Sequence, residues 1–316
     1  MKFLVNNDVS TQGPRGRVLL TGASGLVGRA LAQRLRADGR EVIELAHRPR
    51  PGALTWQPEQ GQFPAEALEG VEAVVHLAGE NIGQRWSTEI KRRIRDSRLL
   101  PTQLLAGRMA ALPVAQRPKV FVCASAIGFY GVQRPDLVDE TATSGKGFLA
   151  EVTREWEAAT GAASAAGVRT VCARMGVVLG SEGGALKELV SIFRKGLGGH
   201  AGPGTQRISW IALSDLVEIF LFLLERHDLA GPVNAVAPVA CPNRELAETL
   251  GRILEKSSKT HAPAFALKLL LGEMAGETIL SDLAVIPRRL QEAGFVWHFA
   301  GLEAALRHEL ARESRG

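Results

Sequence analysis

A glycine-rich turn between a predicted strand and a predicted helix is the feature that most constrains this chain; it lies in R-V-L-L-T-G-A-S-G-L-V-G, from Arg17 to Gly28. Gly22 leaves the turn free to adopt backbone angles that side chains disfavour. Gly25 lets the main chain approach a pyrophosphate, and Gly28 lets the helix pack against the strand. The unpaired N–H groups and the positive dipole end at the helix start attract phosphate. The stretch therefore predicts a dinucleotide site, in preference to a turn without a ligand, because its strand–turn–helix context is intact.

The end of the second predicted strand, Glu41 to Leu45, indicates which dinucleotide is bound. An NAD-binding protein usually places Asp or Glu here, about 20 residues past the turn, to hold the ribose 2′-hydroxyl. This chain has Ala46, His47 and Arg48 instead. A guanidinium matches a 2′-phosphate through paired charge-assisted hydrogen bonds. The sequence therefore predicts NADP(H) over NAD(H), with a solvated surface arginine as the alternative interpretation.

Predicted strands and helices alternate from the glycine turn to about residue 180. This alternation is typical of an α/β fold, in which right-handed crossovers build a parallel sheet covered by helices on both faces. We expect a Rossmann-type doubly wound sheet with a small, mostly helical lobe on the substrate side. The predicted boundaries are an N-terminal extension at 1–14, an NADP-binding domain at 15–180 plus 211–237, and the lobe with a C-terminal helical domain at 181–210 plus 238–316.

Two of the predicted strands end in small or polar residues. The strand from Val71 to Leu77 runs into Ala78 and Gly79, which leave room for a ring or a ribose. The strand from Val120 to Ala124 ends next to Ser125, whose hydroxyl is expected to open onto the same cleft. Because ligands of such sheets bind outside the carboxyl ends of the strands, both ends belong to the predicted site.

Composition and charge exclude several classes of partner. The longest apolar run, Ile219 to Leu224, is much shorter than the ~18–20 residues that cross a bilayer, and the N-terminus lacks the order of a secretory signal. We therefore expect a cytoplasmic protein without a membrane partner. A net charge of +5 over 316 residues is modest and favours an anionic ligand, or simple solubility, over a nucleic-acid partner. The basic helix, Thr88 to Arg98, lacks stacking aromatics; its arginines are either a solvated face or, for Arg93 and Arg98, ligand contacts.

The three cysteines, Cys123, Cys172 and Cys241, are far apart and show no zinc spacing. Two of them lie in apolar strand-like runs. The pattern predicts buried, inert thiols in a reducing compartment and no metal site.

The chain resembles the extended short-chain dehydrogenases/reductases in T-G-A-S-G-L-V-G from Thr21, H-L-A-G from His76, S-A-I-G-F-Y-G from Ser125 and A-R-M-G from Ala173. Further strings narrow the resemblance to an atypical branch described as NAD(P)-dependent epimerase/dehydratase-like. These strings are L-A-G-E-N-I from Leu77, D-S-R-L-L-P-T from Asp96, G-F-L-A-E-V-T-R-E-W-E from Gly147, G-L-G-G from Gly196, S-W-I from Ser209 and L-G-E-M-A from Leu271. The C-terminal piece, Pro263 to Glu309, resembles the uncharacterised domain that this branch carries.

The resemblance implies cofactor contacts at matching positions. The glycine turn would hold the pyrophosphate, two residues after the second strand would bracket the 2′-phosphate, and the basic helix would reach the cofactor. A residue near the nicotinamide end completes the set. The implied positions are Gly22, Ser24, Gly25, Leu26, Val27, Gly28, His47, Arg48, Leu77, Ala78, Gly79, Arg93, Arg98 and Val178.

The chain departs from the superfamily in its proton-transfer residues, which are usually Ser followed by Tyr-x-x-x-Lys. Its single tyrosine is Tyr130, and Arg134, not lysine, stands four residues later. On the helix where the pair belongs, Phe148 occupies approximately the Tyr position, and Val152 or Thr153 the Lys position. Phenylalanine has no proton to move, so the usual acid/base pair is absent.

Two functional hypotheses follow. In the first, the protein is an NADP(H)-dependent reductase or epimerase-like enzyme in which Ser125 and Tyr130 are the catalytic residues; Tyr130 as a packed turn residue is the alternative. Weaker candidates are Lys146, Glu151 and His200. Its substrate would be a small organic molecule, with a nucleotide sugar suggested by superfamily analogy alone. In the second, the protein is a non-catalytic NADP(H)-binding regulator or redox sensor. The sequence leaves the oligomeric state open.

Overall fold

A computed structural model describes the backbone of residues 15–313 and the side chains of residues 15–311. The predicted extension, residues 1–14, lies outside the described residues. The described strands are β1 (Arg15–Thr21), β2 (Arg40–Ala46), β3 (Ala53–Thr55), β4 (Val71–His76), β5 (Val120–Ala126), β6 (Arg169–Met175), β7 (Val177–Leu179), β8 (Gly199–Ala201), β9 (Arg207–Ile208), β10 (Trp210–Ala212), β11 (Gly231–Ala235), β12 (Cys241–Pro242) and β13 (Thr260–Ala262).

Helices of very different lengths connect these strands. The described α-helices are α1 (Leu26–Ala37), α2 (Thr88–Ala111), α3 (Phe148–Ala158), α4 (Gly161–Ala165), α5 (Gly184–Arg194), α6 (Leu213–Glu225), α7 (Asn243–Leu254), α8 (Ala264–Leu271), α9 (Glu273–Glu277), α10 (Arg288–Glu292) and α11 (Leu302–Glu313). Between residues 15 and 313, no helix is both long enough and apolar enough to span a bilayer.

Seven strands form one sheet in the order β11-β6-β5-β4-β1-β2-β3, and each neighbouring pair is parallel. The chain moves outward from β1 through β2 to β3 and then returns to β4 on the other side of β1. The loops after β1 and β4 therefore diverge, which is the switch point where such sheets bind ligands. The predicted α/β fold with a Rossmann-type sheet is confirmed.

Apolar side chains cover both faces of the sheet. Val18 and Leu20 of β1 belong to the cluster that contains α1 and α6, whereas Leu19 belongs to the cluster that contains α2. All three are fully buried. The alternation of side chains along a strand explains this division, because neighbouring residues face opposite sides of the sheet.

Carboxylates join the C-terminal segment to the helices of the sheet domain. Glu309 accepts hydrogen bonds from the backbone N–H and the hydroxyl of Ser214, where α6 begins. Asp215, in the first turn of α6, accepts the N–H groups of His298 and Phe299. Carboxylates at a helix N-terminus are stabilised by the helix dipole, so these contacts fix the C-terminal segment against the sheet.

Several predicted boundaries were wrong for local reasons. The basic helix does not end near Arg98 but continues to Ala111, with Pro101 inside it. The sequence also predicts a single helix from Gly147 to Ala163, but the structure divides it into α3 and α4, since the Thr160 hydroxyl donates to the Glu157 carbonyl and competes with the helical pattern. A further helix is predicted from Gly183 to Gly199, but α5 ends at Arg194, next to Gly196 at φ 78°. The proposed domain division is untested and stays a prediction.

Candidate cofactor site and active site

The glycine turn packs tightly against the residues that follow β4. Gly22 has φ 71°, and a Cβ there would lie 2.7 Å from the carbonyl carbon of Leu77. A Cβ on Gly28 would lie 2.1 Å from the Gly22 carbonyl oxygen. Contacts this short exclude a side chain at both positions. The turn is thus held at the edge of the sheet, between β1 and β4.

The start of α1 is open to an anion. Gly25 is its N-cap and contributes no side-chain hydrogen bond, and the first turn contains no acidic residue. Ser24 and Gly25 are exposed, whereas Leu26 and Val27 are half-buried. The unpaired N–H groups of the first turn and the positive end of the helix dipole therefore remain available to a phosphate group.

The end of β2 presents a free cation. Arg48 is exposed and makes no hydrogen bond or ion pair with the described residues. The nearest acidic residue of the strand, Glu44, is bound by Arg36 and Arg50. His47 packs near Trp56, with ring centroids 5.5 Å apart, and partial burial lowers the pKa of its imidazole. Glu44 is therefore already paired and does not compete with a 2′-phosphate for Arg48, whereas the exposed Glu59 lies near His47 and opposes the lowering of its pKa.

A hydrogen-bonded threonine and histidine, missed by the sequence analysis, fix the loop after β4. The Thr21 hydroxyl oxygen accepts the N–H groups of Leu77 at 3.2 Å and Ala78 at 3.3 Å, and lies 2.6 Å from His76 Nδ1. Complete burial lowers the pKa of His76 to about 3, so the ring is neutral. The sequence contained a signal for this contact, because Thr21 and His76 lie at the ends of two predicted strands; in the structure these strands are neighbours and the two residues are paired.

Arg93 and Arg98 of α2, the two arginines predicted to contact the cofactor, lie near the loop that follows β4. Arg93 lies 3.8 Å from the Glu80 carboxylate. Arg98 donates to the carbonyl oxygens of Glu80 at 3.1 Å and Ile94 at 2.9 Å, and lies next to Gly79. Burial lowers the pKa of Arg98 to about 10. Arg98 therefore positions the loop beside the cleft through backbone contacts.

Val178 lies at the far side of the cleft, where the chain leaves β6. It is half-buried in β7 and pairs with Ile211 of β10. Since β7 begins two residues after Met175, the end of β6, Val178 lies beyond the carboxyl edge of the sheet, and its contact with the nicotinamide stays a prediction.

The expectation that the Ser125 hydroxyl opens onto the cleft was wrong. Ser125 is fully buried, and its hydroxyl donates to Glu157 Oε1 of α3 at 2.6 Å. Side chains alternate along β5, and Ser125 falls on the face that α3 covers. Arg174 of β6 binds the same carboxylate, with Nε 2.7 Å from Oε1 and Nη2 2.8 Å from Oε2.

Tyr130 belongs to this buried network as well. Its hydroxyl accepts from Arg174 Nη1 at 2.9 Å and donates to Asn234 Oδ1 at 2.7 Å. Burial raises the pKa of Tyr130, although Arg174 and Asn234 oppose that shift. Asn234 in turn donates its backbone N–H to Glu140. Ser125 and Tyr130 are therefore connected, through Glu157 and Arg174, inside the protein and not at its surface.

Comparison with known proteins decides the family. The sequence model of the NAD dependent epimerase/dehydratase family matches residues 18–236, and that of a domain of unknown function, DUF1731, matches residues 262–309. The chain belongs to the NAD-dependent epimerase/dehydratase family. The predicted atypical extended short-chain dehydrogenase/reductase is thus confirmed, as is the expected class of nicotinamide dinucleotide cofactor.

Relatives within the family are similar over nearly the whole chain. An epimerase family protein of Mycobacterium leprae is 40% identical over 94% of this chain and 97% of its own length. The crystal structure of the human epimerase family protein SDR39U1 (isoform 2) with NADPH has a TM-score of 0.85 at 34% identity and covers 93% of this chain and 99% of the human one. A nucleoside-diphosphate sugar epimerase of Corynebacterium glutamicum has a TM-score of 0.78 at 35% identity over 94% of this chain and 58% of its own.

The position of the superfamily's tyrosine and lysine differs in this family member. Phe148, the first residue of α3, packs edge-on against Trp86 with ring centroids 5.1 Å apart. Val152 and Thr153 are each 3% exposed, so neither faces the cleft. Glu277 of α9 accepts the N–H groups of Phe148 at 2.7 Å and of Leu149 at 2.8 Å. The C-terminal domain thus supplies a carboxylate where α3 begins.

The weaker candidates are dispersed. Lys146 and Glu151 are exposed on either side of the α3 start and make no ion pair with the described residues. His200 lies instead on β8, with its ring tilted against that of His261 of β13 and the ring centroids 4.8 Å apart, and both rings bond to the Gly202 carbonyl. Across residues 15–311, no three metal-ligating side chains form a cluster.

Proposed function

We propose that this member of the epimerase/dehydratase family is an NADP(H)-dependent oxidoreductase with a small organic substrate. The observation that carries the proposal is the pair formed by the open N-terminus of α1 and the exposed Arg48 at the end of β2. The first fits a pyrophosphate and the second a 2′-phosphate. The NADPH in the crystal structure of the human relative supports the same cofactor here.

Different residues of the chain would bind different parts of the cofactor. The glycine turn and the α1 start would hold the pyrophosphate, Arg48 and His47 the 2′-phosphate, and Leu77 to Gly79 the adenosine side. Val178 and the β5 end would line the nicotinamide end. The bound nicotinamide supplies or accepts a hydride. The lobe formed by 181–210 and 238–316 would close the substrate side of the cleft.

Proton transfer is the step for which the chain departs from its superfamily. Ser125 and Tyr130 remain our catalytic hypothesis, but both hydroxyls are bonded inside the buried network. That bonding favours a second candidate function, a non-catalytic NADP(H)-binding regulator. The two candidates share the cofactor site and differ in turnover.

Two measurements separate these candidates. Calorimetry with NADPH and NADH tests the cofactor, and absence of affinity for both would overturn either function. NADPH oxidation is then followed against a panel of carbonyl compounds and sugar nucleotides. Turnover that is lost in Ser125→Ala and Tyr130→Phe supports the catalytic hypothesis, and turnover unchanged in both discards it. No turnover across the panel, with NADPH bound, favours the regulator.

A further inference from the structure

The loops that follow β4 and β5 meet at an aromatic pair. Trp86 lies in the loop between β4 and α2, and Phe148 begins α3 after the long loop from β5. Their rings pack edge-on at 5.1 Å, and both residues are half-buried. Because both loops leave the carboxyl edge of the sheet, the pair lies on the side where ligands of this fold bind. We call Trp86 and Phe148 the aromatic wall.

The wall is on the nicotinamide side of the proposed cofactor site. The sheet order places β2, with Arg48, on one side of β1 and places β4 and β5 on the other. A dinucleotide anchored at the β1 turn with its 2′-phosphate at Arg48 therefore extends towards β5. Gly128, just after β5, is packed against α3, since a Cβ there would lie 3.3 Å from the Leu149 Cβ. The start of α3 is thereby held at the end of β5.

Most of the polar groups around the wall are already bonded within the protein. Trp86 Nε1 donates to the Ile82 carbonyl at 2.9 Å. Lys91, whose Nζ lies 4.5 Å from the Phe148 ring centroid, is paired with Glu273 at 2.9 Å. Glu277 is engaged by two backbone N–H groups. Lys146 and Glu151, on either side of the α3 start, are the exceptions, because both are exposed and make no ion pair with the described residues.

This arrangement suits one class of substrate better than another. A sugar presents several hydroxyls, and each needs a hydrogen-bonding partner when it leaves water. The wall offers the surfaces of two aromatic rings. Such rings interact favourably with other aromatic groups in stacked or edge-on arrangements. Lys146 adds an ammonium group, whose N–H donors suit a carbonyl or carboxylate oxygen.

From these contacts we infer that the substrate side of the cleft binds a planar, conjugated carbonyl compound, such as an aromatic ketone, by stacking on Trp86. The inference rests on the proposed function for the position of the cofactor and deepens it by naming the class of substrate. The nucleotide sugar suggested by analogy is the competing ligand in the test.

The experiment measures binding, so that it does not depend on turnover. Full-length protein saturated with NADP⁺, which cannot reduce a ketone, is titrated with 9-fluorenone and, separately, with UDP-glucose. We expect 9-fluorenone to bind, Trp86→Ala to weaken it about tenfold or more, and Trp86→Phe to restore most of the affinity. Phe63→Ala is the matched control, since Phe63 is a half-buried aromatic in a similar edge-on pair with Trp56, at 6.3 Å.

Each other result overturns the inference. UDP-glucose binding more tightly than 9-fluorenone would replace the substrate class, and equal losses in Trp86→Ala and Phe63→Ala would mean that the wall is not the site. Absence of binding by 9-fluorenone would also reject it. If calorimetry first shows no NADP⁺ binding, the proposed function fails by itself. Titration of the cofactor-free protein with 9-fluorenone then tests the wall, with the same variants and the same criteria.

Discussion

Arg174 and Glu157 form a bidentate ion pair inside the protein, and the Arg174 side chain is only 3% exposed. Truncation of one partner leaves the other charge buried without compensation. We expect Arg174→Ala to lower the free energy of unfolding by about 3–5 kcal/mol. Urea unfolding provides the measurement. Arg92→Ala is the control, since Arg92 makes its ion pairs while 61% exposed and its removal should lower the free energy of unfolding far less. Equal losses in the two variants would contradict the structural role of the buried pair.

Cofactor preference depends on Arg48. Removing its guanidinium should cost a charge-assisted contact with the 2′-phosphate, worth roughly 1.5–3 kcal/mol, or about 10- to 100-fold in NADPH affinity. NADH lacks that phosphate, so its affinity should not change in Arg48→Ala. Calorimetry of both cofactors checks this prediction, with Arg92→Ala as a control for net charge. If the preference for NADPH persists in Arg48→Ala, Arg48 is not part of the site.

The glycine turn predicts a contrast between two Gly→Ala substitutions. A Cβ on Gly28 would lie 2.1 Å from the Gly22 carbonyl oxygen, whereas a Cβ on Gly107 would meet nothing within 4 Å. Gly28→Ala should therefore displace α1 from the turn and abolish NADPH binding. Gly107 lies inside α2 and is exposed, so Gly107→Ala should stabilise the protein by up to about 1 kcal/mol. Thermal unfolding with and without NADPH measures both effects, and a Gly28→Ala variant with native NADPH affinity would refute this reading of the turn.

Glu140 should give the protein a specific pH dependence. Burial raises the pKa of its carboxyl above 4.5, although the N–H groups of Asn234 and Arg289 oppose the shift. A group with a raised pKa in the folded state contributes stability that is present below its unfolded pKa and is lost as the pH rises through the folded value. We therefore expect the free energy of unfolding of the native protein to fall, relative to Glu140→Gln, as the pH rises above 4.5.

Urea unfolding of the native protein and Glu140→Gln at several pH values isolates this effect, because the other carboxylates are common to both. A Glu140→Gln difference that does not vary with pH would show that Glu140 titrates normally. A constant offset between the two proteins, from the changed hydrogen bonding, does not affect the comparison.

The parts of the site that could be predicted from the sequence are those encoded locally. The glycine spacing, the apolar strand before it and the cation after β2 lie within about 30 residues of each other, and each has its own chemical requirement. The alternation of strands and helices likewise gave the parallel sheet without any long-range information. Even the absent Tyr-x-x-x-Lys pair could be read from composition, because the chain contains one tyrosine.

The side of the sheet that Ser125 faces could not be predicted in the same way. It depends on Glu157, 32 residues later, and on Arg174 from another strand. The contact of the Arg98 guanidinium with the backbone after β4 was not predicted either, because only the packing of α2 determines it; its contact with the cofactor stays a prediction. The aromatic wall is also a product of tertiary structure, since nothing in the sequence around Trp86 points to Phe148.

The carboxylates of the C-terminal segment have a consequence for how the protein unfolds. Glu277 and Glu309 satisfy the first N–H groups of α3 and α6, 129 and 95 residues away in sequence. If that segment were released, the first N–H groups of α3 and α6 would lose their hydrogen-bond acceptors. The carboxylates of Glu277 and Glu309 would at the same time lose the N–H donors that hold them in place. The regions matched by the two family models should therefore denature in one cooperative transition, so that neither survives as an autonomous fragment.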